Sequence, residues 1–326
     1  LIYVGTDDGL IQISEDDGST WRSIDSLPGV PDYFFVNDIK ADLHDPNIVY
    51  VVVDNHKAGD FSPYIFKSNN RGRSWKSISS NIPDRHIAWR IVQDHVNPEL
   101  LFIGTEFGLF FSIDSGKQWT KLSGGVPNIP FRDLAIQQRE NDLVGATFGR
   151  SLYILDDYSP LRHINQEILD NETTLFPVRR THWYMPKRPH SCSKAGCVDS
   201  QGDSYFVSPN PPFGAVFTFY IPEIKIKLAE KRKEIEKDLI ENNKDVIFPS
   251  WKELRAESLE DDPAIIFTIS DSLGSIIRHL EVPRKSGFNR IAWNLRYPST
   301  KPWEPRSKED LDDNSFGPFD DEGVMV

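Results

Sequence analysis

The octapeptide SEDDGSTW at 14–21 returns in altered form as SNNRGRSW at 68–75 and SIDSGKQW at 112–119. The starts stand 54 and 44 residues apart, a spacing at which stacked supersecondary repeats are built. The flanks recur with the boxes. LIYVGTDDGLIQI (1–13), IVYVVVD…YIFKS (48–68) and LLFIGTEFGLFFS (100–112) each supply an apolar strand, a turn and a second strand that runs into a box. Another short strand lies ahead of each complete unit, VNDIKAD (36–42), AWRIVQD (88–94) and FRDLAIQ (131–137), and a Trp strand follows each box as WRSI, WKSI or WTKL. Four short antiparallel strands per period is the pattern of a β-propeller blade. FRDLAIQ through DLVGATFGRSLYILDD (131–157) forms a fourth unit without the Gly-Trp turn and reads as the last blade.

Each box holds a potential catalytic carboxylate, so its chemistry has to be weighed against turn building. A tight hairpin must satisfy its own N–H groups, which an Asp or Asn side chain accepts locally. Gly two residues on permits positive φ, and the Trp ring packs under the turn. Box two carries Asn70 where the others carry Asp16 and Asp114. An amide can take over a hydrogen bond but not acid–base work. Ser14, Asp16, Gly18, Thr20 and Trp21, Ser68, Asn70, Gly72, Ser74 and Trp75, and Ser112, Asp114, Gly116 and Trp119 are therefore read as structural.

These boxes resemble the Asp-box, or BNR repeat, S-x-D-x-G-x-[ST]-W, shared by sialidases, xyloglucanases, photosystem assembly factors and sortilin-type receptors. Box one matches throughout, box two departs at Asn70 and box three at Gln118. The longer run from HVNPELLFIGTEFG to YILDDYSPLR, with TLFPVRR (174–180), NPPFGAVFTFYI (210–221) and GFNRIAWNLRYP (287–298), is similar to the closing blades of large, mainly bacterial proteins labelled "glycosyl hydrolase, BNR repeat" or sortilin N-terminal domain-containing. That resemblance implies a propeller and leaves the chemistry open, because fold does not fix function. The Cys-rich module that follows the propeller in sorting receptors has no counterpart here.

At 326 residues there is room for two domains. A net charge of −12 with no basic stripe argues against a nucleic-acid partner. The longest apolar runs, such as IVYVVV, are strand-sized and too short to span a membrane. The chain opens inside a strand without Met and stops at GVMV, so it is read as a piece of a longer protein whose signal peptide and further blades would lie elsewhere. Propellers close with four to eight blades, so the remaining blades are expected from an N-terminal part or from a partner chain. Cys192 and Cys197, in HSCSKAGCVDS, are either a local disulfide suited to an exported protein or two unremarkable thiols.

The expected organisation is a partial propeller at 1–163, a linker at 164–213 and a small β-sandwich at 214–326, similar to immunoglobulin or fibronectin modules. Its strands are GAVFTFYI, AIIFTISD, SIIRHLEV and FNRIAWNLR, and a helical insertion occupies 226–262. Leu228, Ile235 and Leu239 form a stripe on that insertion, expected to pack it on the sandwich.

Arg90 and Arg132 begin equivalent inner strands and Arg150 sits in the last blade's turn, an arrangement that could hold a substrate carboxylate or simply pair with Asp133 or Glu106. Trp89 and Phe107 are candidate stacking residues at a propeller rim. Glu106, Asp7 and Phe148 occupy one repeated turn position, which marks it as structural. The acidic run 309–323 lacks the spacing of a calcium loop. No phosphate loop, HExxH or nucleophile elbow is present, so neither a cofactor nor a metal site is expected. The reading that follows is an all-β, non-catalytic binding or scaffold protein of the cell surface, periplasm or exterior, engaging a peptide, protein or glycan. The alternative is a glycoside hydrolase whose catalytic residues lie mostly in other blades.

Overall fold

The computed structural model describes residues 1–171, 173–184, 211–224, 226–282 and 285–299. Cys192, Cys197 and the acidic run 309–323 lie outside the described residues. The chain divides into two compact units, Leu1–Asn165 and Gln166–Val326.

The first unit is a series of propeller blades. Blade one has strands β1 (Ile2–Gly5), β2 (Ile11–Ser14) and β3 (Arg22–Ile24), and blade two has β4 (Phe35–Ala41), β5 (Val49–Asn55), β6 (Asp60–Ser68) and β7 (Lys76–Ser77). Blade three has β8 (Ala88–Gln93), β9 (Leu101–Thr105), β10 (Gly108–Ser112) and β11 (Thr120–Lys121), and blade four has β12 (Phe131–Gln137), β13 (Asp142–Thr147) and β14 (Leu152–Leu155). Every residue of β5 and β9 is buried, which is why both read as continuous apolar runs instead of alternating. Blades two and three bury both faces against their neighbours, while β1 and β14 of the outer two blades keep exposed residues. Ile11 and Ile13 of blade one meet Val51, Val53 and Phe66 of blade two. Tyr50, Val52 and Ile65 meet Ile91, Leu101 and Phe110 of blade three, and Phe102 and Leu109 meet Phe131, Leu134 and Leu143 of blade four.

The boxes are turns whose side chains are consumed locally. Asp16 Oδ1 accepts from the Ser14 hydroxyl at 2.9 Å and the Thr20 N–H at 2.8 Å. Asn70 Oδ1 accepts from the Ser68 hydroxyl and the Ser74 N–H at the same distances. Asp114 Oδ1 accepts from the Ser112 hydroxyl at 2.7 Å and the N–H groups of Lys117 and Gln118 at 3.0 Å. The Thr20 side chain leads the bonds that hold the Asp16 carboxyl below the usual range. The Trp residues differ more than the repeat implies. Trp119 is 4% exposed and donates from Nε1 to Ile78 O of the preceding blade at 2.6 Å, whereas Trp21 is 45% exposed and bonds its own Gly18 O. The box Gly also faces the preceding blade. A Cβ on Gly116, at φ 85°, would stand 2.7 Å from Ile78 Cδ1.

A buried latch ties the end of blade four to blade three. Asp94 accepts from Arg162 Nε and Nη2 at 2.8 and 2.7 Å and from the Tyr158 hydroxyl at 2.6 Å. Burial opposes ionisation of Asp94, but the Arg162 and Tyr158 bonds outweigh it and hold its carboxyl below the ordinary value.

The second unit sets a sheet of β15 (Thr174–Leu175), β16 (Ala215–Ile221) and β19 (Gly287–Trp293) against a ribbon of β17 (Ile265–Ser270) and β18 (Ile276–Val282). Phe219 and Ile221 of the sheet pack with Phe267 and Val282 of the ribbon, and Ala215 and Trp293 with Ile277, so β16 to β19 meet through two small apolar clusters. Two expectations need correcting. The stretch 164–213 contributes helix α1 (Gln166–Asn171) and strand β15, which pairs antiparallel with β16, so it is more than a linker. Helices α2 (Leu228–Glu241) and α3 (Trp251–Leu259), between β16 and β17, have no buried residue. Their Leu228, Ile235 and Leu239 stripe lines a groove with Val246 and Phe248 instead of covering the sandwich. The physical reason is the Arg232 guanidinium, which spans Glu236 and Glu257 and ties the two helices to each other. Among the described residues no helix is long and apolar enough to cross a membrane.

Candidate functional site

The inner strands of blades two, three and four share an irregularity that the repeat does not announce. In each, the pairing register shifts at one residue, at Asn37 between Val36 and Asp38, at Trp89 between Ala88 and Arg90, and at Arg132 between Phe131 and Asp133. A bulge leaves one residue unpaired and re-aims its side chain. Trp89 and Arg132 are thus equivalent positions, and both are delivered to the same end of the blades.

There they meet. The Arg132 guanidinium lies 3.5 Å from the centre of the Trp89 ring, a cation–π contact. Trp89 Nε1 donates to Glu106 Oε2 at 3.0 Å, and Arg132 Nη2 lies 3.5 Å from the same oxygen. Gly104 makes the approach possible. A Cβ there would stand 2.7 Å from Phe131 O, so blade four reaches blade three only because that position carries no side chain.

One residue along, the register aligns Asp38, Arg90 and Asp133. Arg90 lies 3.4 Å from Asp38 Oδ1 and 2.9 Å from Asp133 Oδ1, a charge ladder across three blades. Arg90 is committed to this ladder and Arg132 to Trp89 and Glu106. Arg150 is exposed and is not among the residues that line the cleft described next.

Trp89 and Arg132 form one wall of a cleft of about 340 Å³. Glu106 and Phe107 of the β9–β10 turn line it, as do His56, Phe61, Arg85 and Ile87. Trp89 itself is 7% exposed, so it organises the site more than it offers a free face. The open rings are Phe61 and Phe107, at 41% and 39% exposure. The Arg85 guanidinium lies 6.0 Å from the Phe61 ring centre. Glu106 is the one carboxylate among the lining residues, and it is engaged by an indole and a guanidinium. The site can therefore grip a ligand with an apolar face and hydrogen-bonding edges, through two aromatic rings and fixed polar groups.

Sequence reasoning named Trp89, Phe107 and Arg132 but missed His56, Phe61, Arg85 and Ile87. A signal existed for His56. Where blades one and three turn with GTDDG and GTEFG, blade two has the longer DNHKAGD, and a departure from a repeat is a place where function can be added.

No protein-family model matches the chain. Over 101 residues it is 32% identical to xyloglucanase Xgh74A of Acetivibrio thermocellus, a match covering 28% of this chain and 12% of that protein. The chain thus spans about an eighth of that relative's length. Among solved structures it is similar to YCF48 bound to D1 peptide (16% identity, TM-score 0.36, 48% of this chain and 47% of that one). It is also similar to the GH74 xyloglucanase of Xanthomonas campestris (18%, 0.37, 49% and 27%) and to the GH74 enzyme of Niastella koreensis (18%, 0.38, 55% and 29%). The likenesses to solved structures, all below a TM-score of 0.5, carry no weight for chemistry.

Proposed function

We propose that the cleft at blades two to four is a carbohydrate-binding site and that the propeller acts through it as a binding module outside the cytoplasm, at the cell surface, in the periplasm or in the exterior. The observation that carries the reading is the pair of open rings, Phe61 and Phe107, lining one cleft together with the fixed group of Arg132, Trp89 and Glu106. Aromatic rings offer an apolar surface to the C–H face of a sugar, while fixed polar groups set its orientation. Partial identity to a xyloglucanase supports a glycan over a peptide as ligand.

The same identity supports a second reading, a glycoside hydrolase, and gives it more support than the comparisons give to a pure binder. Against it stands the cleft's carboxylate count. Glycoside hydrolysis in most families uses two carboxyl groups flanking the scissile bond, and the cleft offers Glu106 alone among its described lining residues, already engaged.

Calorimetry of the full chain with xyloglucan oligosaccharides, paired with a reducing-end assay, separates the two. The binding reading expects heat on titration, loss of affinity in Phe107→Ala and no new reducing ends. Release of reducing ends that vanishes in Glu106→Gln would make the protein a hydrolase. No binding by the wild type to any glycan in a neutral and acidic panel would remove both.

A further inference from the structure

His56 stands in the cleft with one edge of its ring fixed and the other unassigned. It begins a 3-10 turn, His56–Ala58, between β5 and β6. Asp54, whose side chain is 1% exposed, accepts at Oδ1 from the His56 backbone N–H at 3.1 Å and is bonded by the ring Nδ1 through the same oxygen. An ionised carboxylate only accepts, so Nδ1 carries a hydrogen. The ring also has two aromatic neighbours. Trp89 meets it edge-on with centroids 5.8 Å apart, and Phe35 lies 6.4 Å away. Nε2, the second ring nitrogen, has no hydrogen-bond partner among the described residues. The ring that carries it lines the cleft.

We propose that His56 is a ligand-contacting residue of this cleft, with Nε2 of the neutral imidazole accepting a hydrogen bond from a ligand hydroxyl while Asp54 holds the tautomer. The partner of a lone pair fixed in this way is a hydroxyl or N–H donor, and a sugar ring seated in the cleft carries several hydroxyls at its edge. The inference rests on the carbohydrate reading above and adds a specificity residue to it. Asp54 is a positioning residue, since it acts through the imidazole. Asp54, at the end of β5, and His56, in the turn after it, belong to the segment DNHKAGD in which blade two departs from its neighbours, where the repeat itself requires neither an Asp nor a His.

The test is nitrogen-15 NMR of the full chain labelled at histidine, together with calorimetry against xyloglucan oligosaccharides. The free protein should show His56 as the Nδ1–H tautomer, and ligand should move the Nε2 resonance upfield as the lone pair is engaged. His56→Ala should weaken binding about 5- to 10-fold, the size of one hydrogen bond. Removing the imidazole leaves Asp54 buried without its ring partner, so Asp54→Asn serves as a second variant. Its Oδ1 can still accept from both the backbone N–H and Nδ1–H, but without the carboxylate charge the ring is held more weakly, so binding should weaken by less than in His56→Ala. An Nε2–H tautomer in the wild type overturns the proposal. So does unchanged affinity in both variants, which leaves the carbohydrate reading standing. Absence of binding by the wild type removes that reading and this one with it.

Discussion

Arg132 and Trp89 occupy the same bulged position in successive inner strands, and the guanidinium of one lies 3.5 Å from the ring centre of the other. The propeller's periodicity places them in line, and the bulge turns each out of its ladder. A double-mutant cycle with Arg132→Ala and Trp89→Leu should give a coupling of about 1 kcal/mol in chemical denaturation. Additive effects would mean the stack contributes nothing.

Gly104 controls that geometry from beneath. Gly104→Ala should cost about 1–3 kcal/mol, the range for overpacking a close contact, because the new methyl meets Phe131 O. It should also weaken ligand binding, since Phe131 adjoins Arg132. A variant with wild-type stability and wild-type affinity would show that the close approach does not set the site.

The boxes make a sharp contrast between isosteric and truncating changes. Asp114→Asn and Asn70→Asp should each change stability by less than about 0.5 kcal/mol, as substitutions that keep the acceptor oxygen. Asp114→Ala should cost about 1–2 kcal/mol, as an unmade set of local bonds. The thermal midpoints of the four proteins check it. If Asp114→Asn abolished ligand binding or turnover at unchanged stability, the box would be chemical after all.

Asp94 predicts an acid-sensitive latch. Its carboxyl lies below the unfolded value, held there by Arg162 and Tyr158 against the effect of burial. The stability it adds is therefore complete above the unfolded value, about pH 4, and is lost as pH falls through the folded one. Denaturant midpoints measured from pH 6 to pH 2 should fall less steeply for Asp94→Asn than for the wild type. Arg162→Ala, which leaves a buried carboxylate without its cation, should cost about 3 kcal/mol at pH 7.

What was legible in the sequence was whatever the repeat repeats. The strand order follows from the period, and the hydrogen bonds of Asp16, Asn70 and Asp114 follow from local turn chemistry, and neither depends on distant contacts. The site was only half legible. Phe107 and Arg132 were visible as residues at blade ends, but the equivalence of Arg132 with Trp89 depends on a bulge, which shifts register by one residue and has no sequence mark of its own. Trp89 read as a stacking platform, and instead its ring is covered by Arg132 on one face and its N–H is taken by Glu106. Its burial comes from a neighbouring blade, which no local pattern encodes. The helices failed for a similar reason. The Leu228, Ile235 and Leu239 stripe marks a face that seeks cover, but not which element supplies it, and Glu257 of the second helix proved to be the partner of Arg232.

The most direct test of the account is the methyl spectrum of the full chain with isoleucine δ-methyls labelled, titrated with xyloglucan oligosaccharide. Ile87 lines the propeller cleft, and Ile247 lines the separate groove of the helical hairpin. A carbohydrate bound in the propeller cleft shifts Ile87 and leaves Ile247 unmoved. Movement of Ile247 with a silent Ile87 would contradict it and assign the ligand to the other unit.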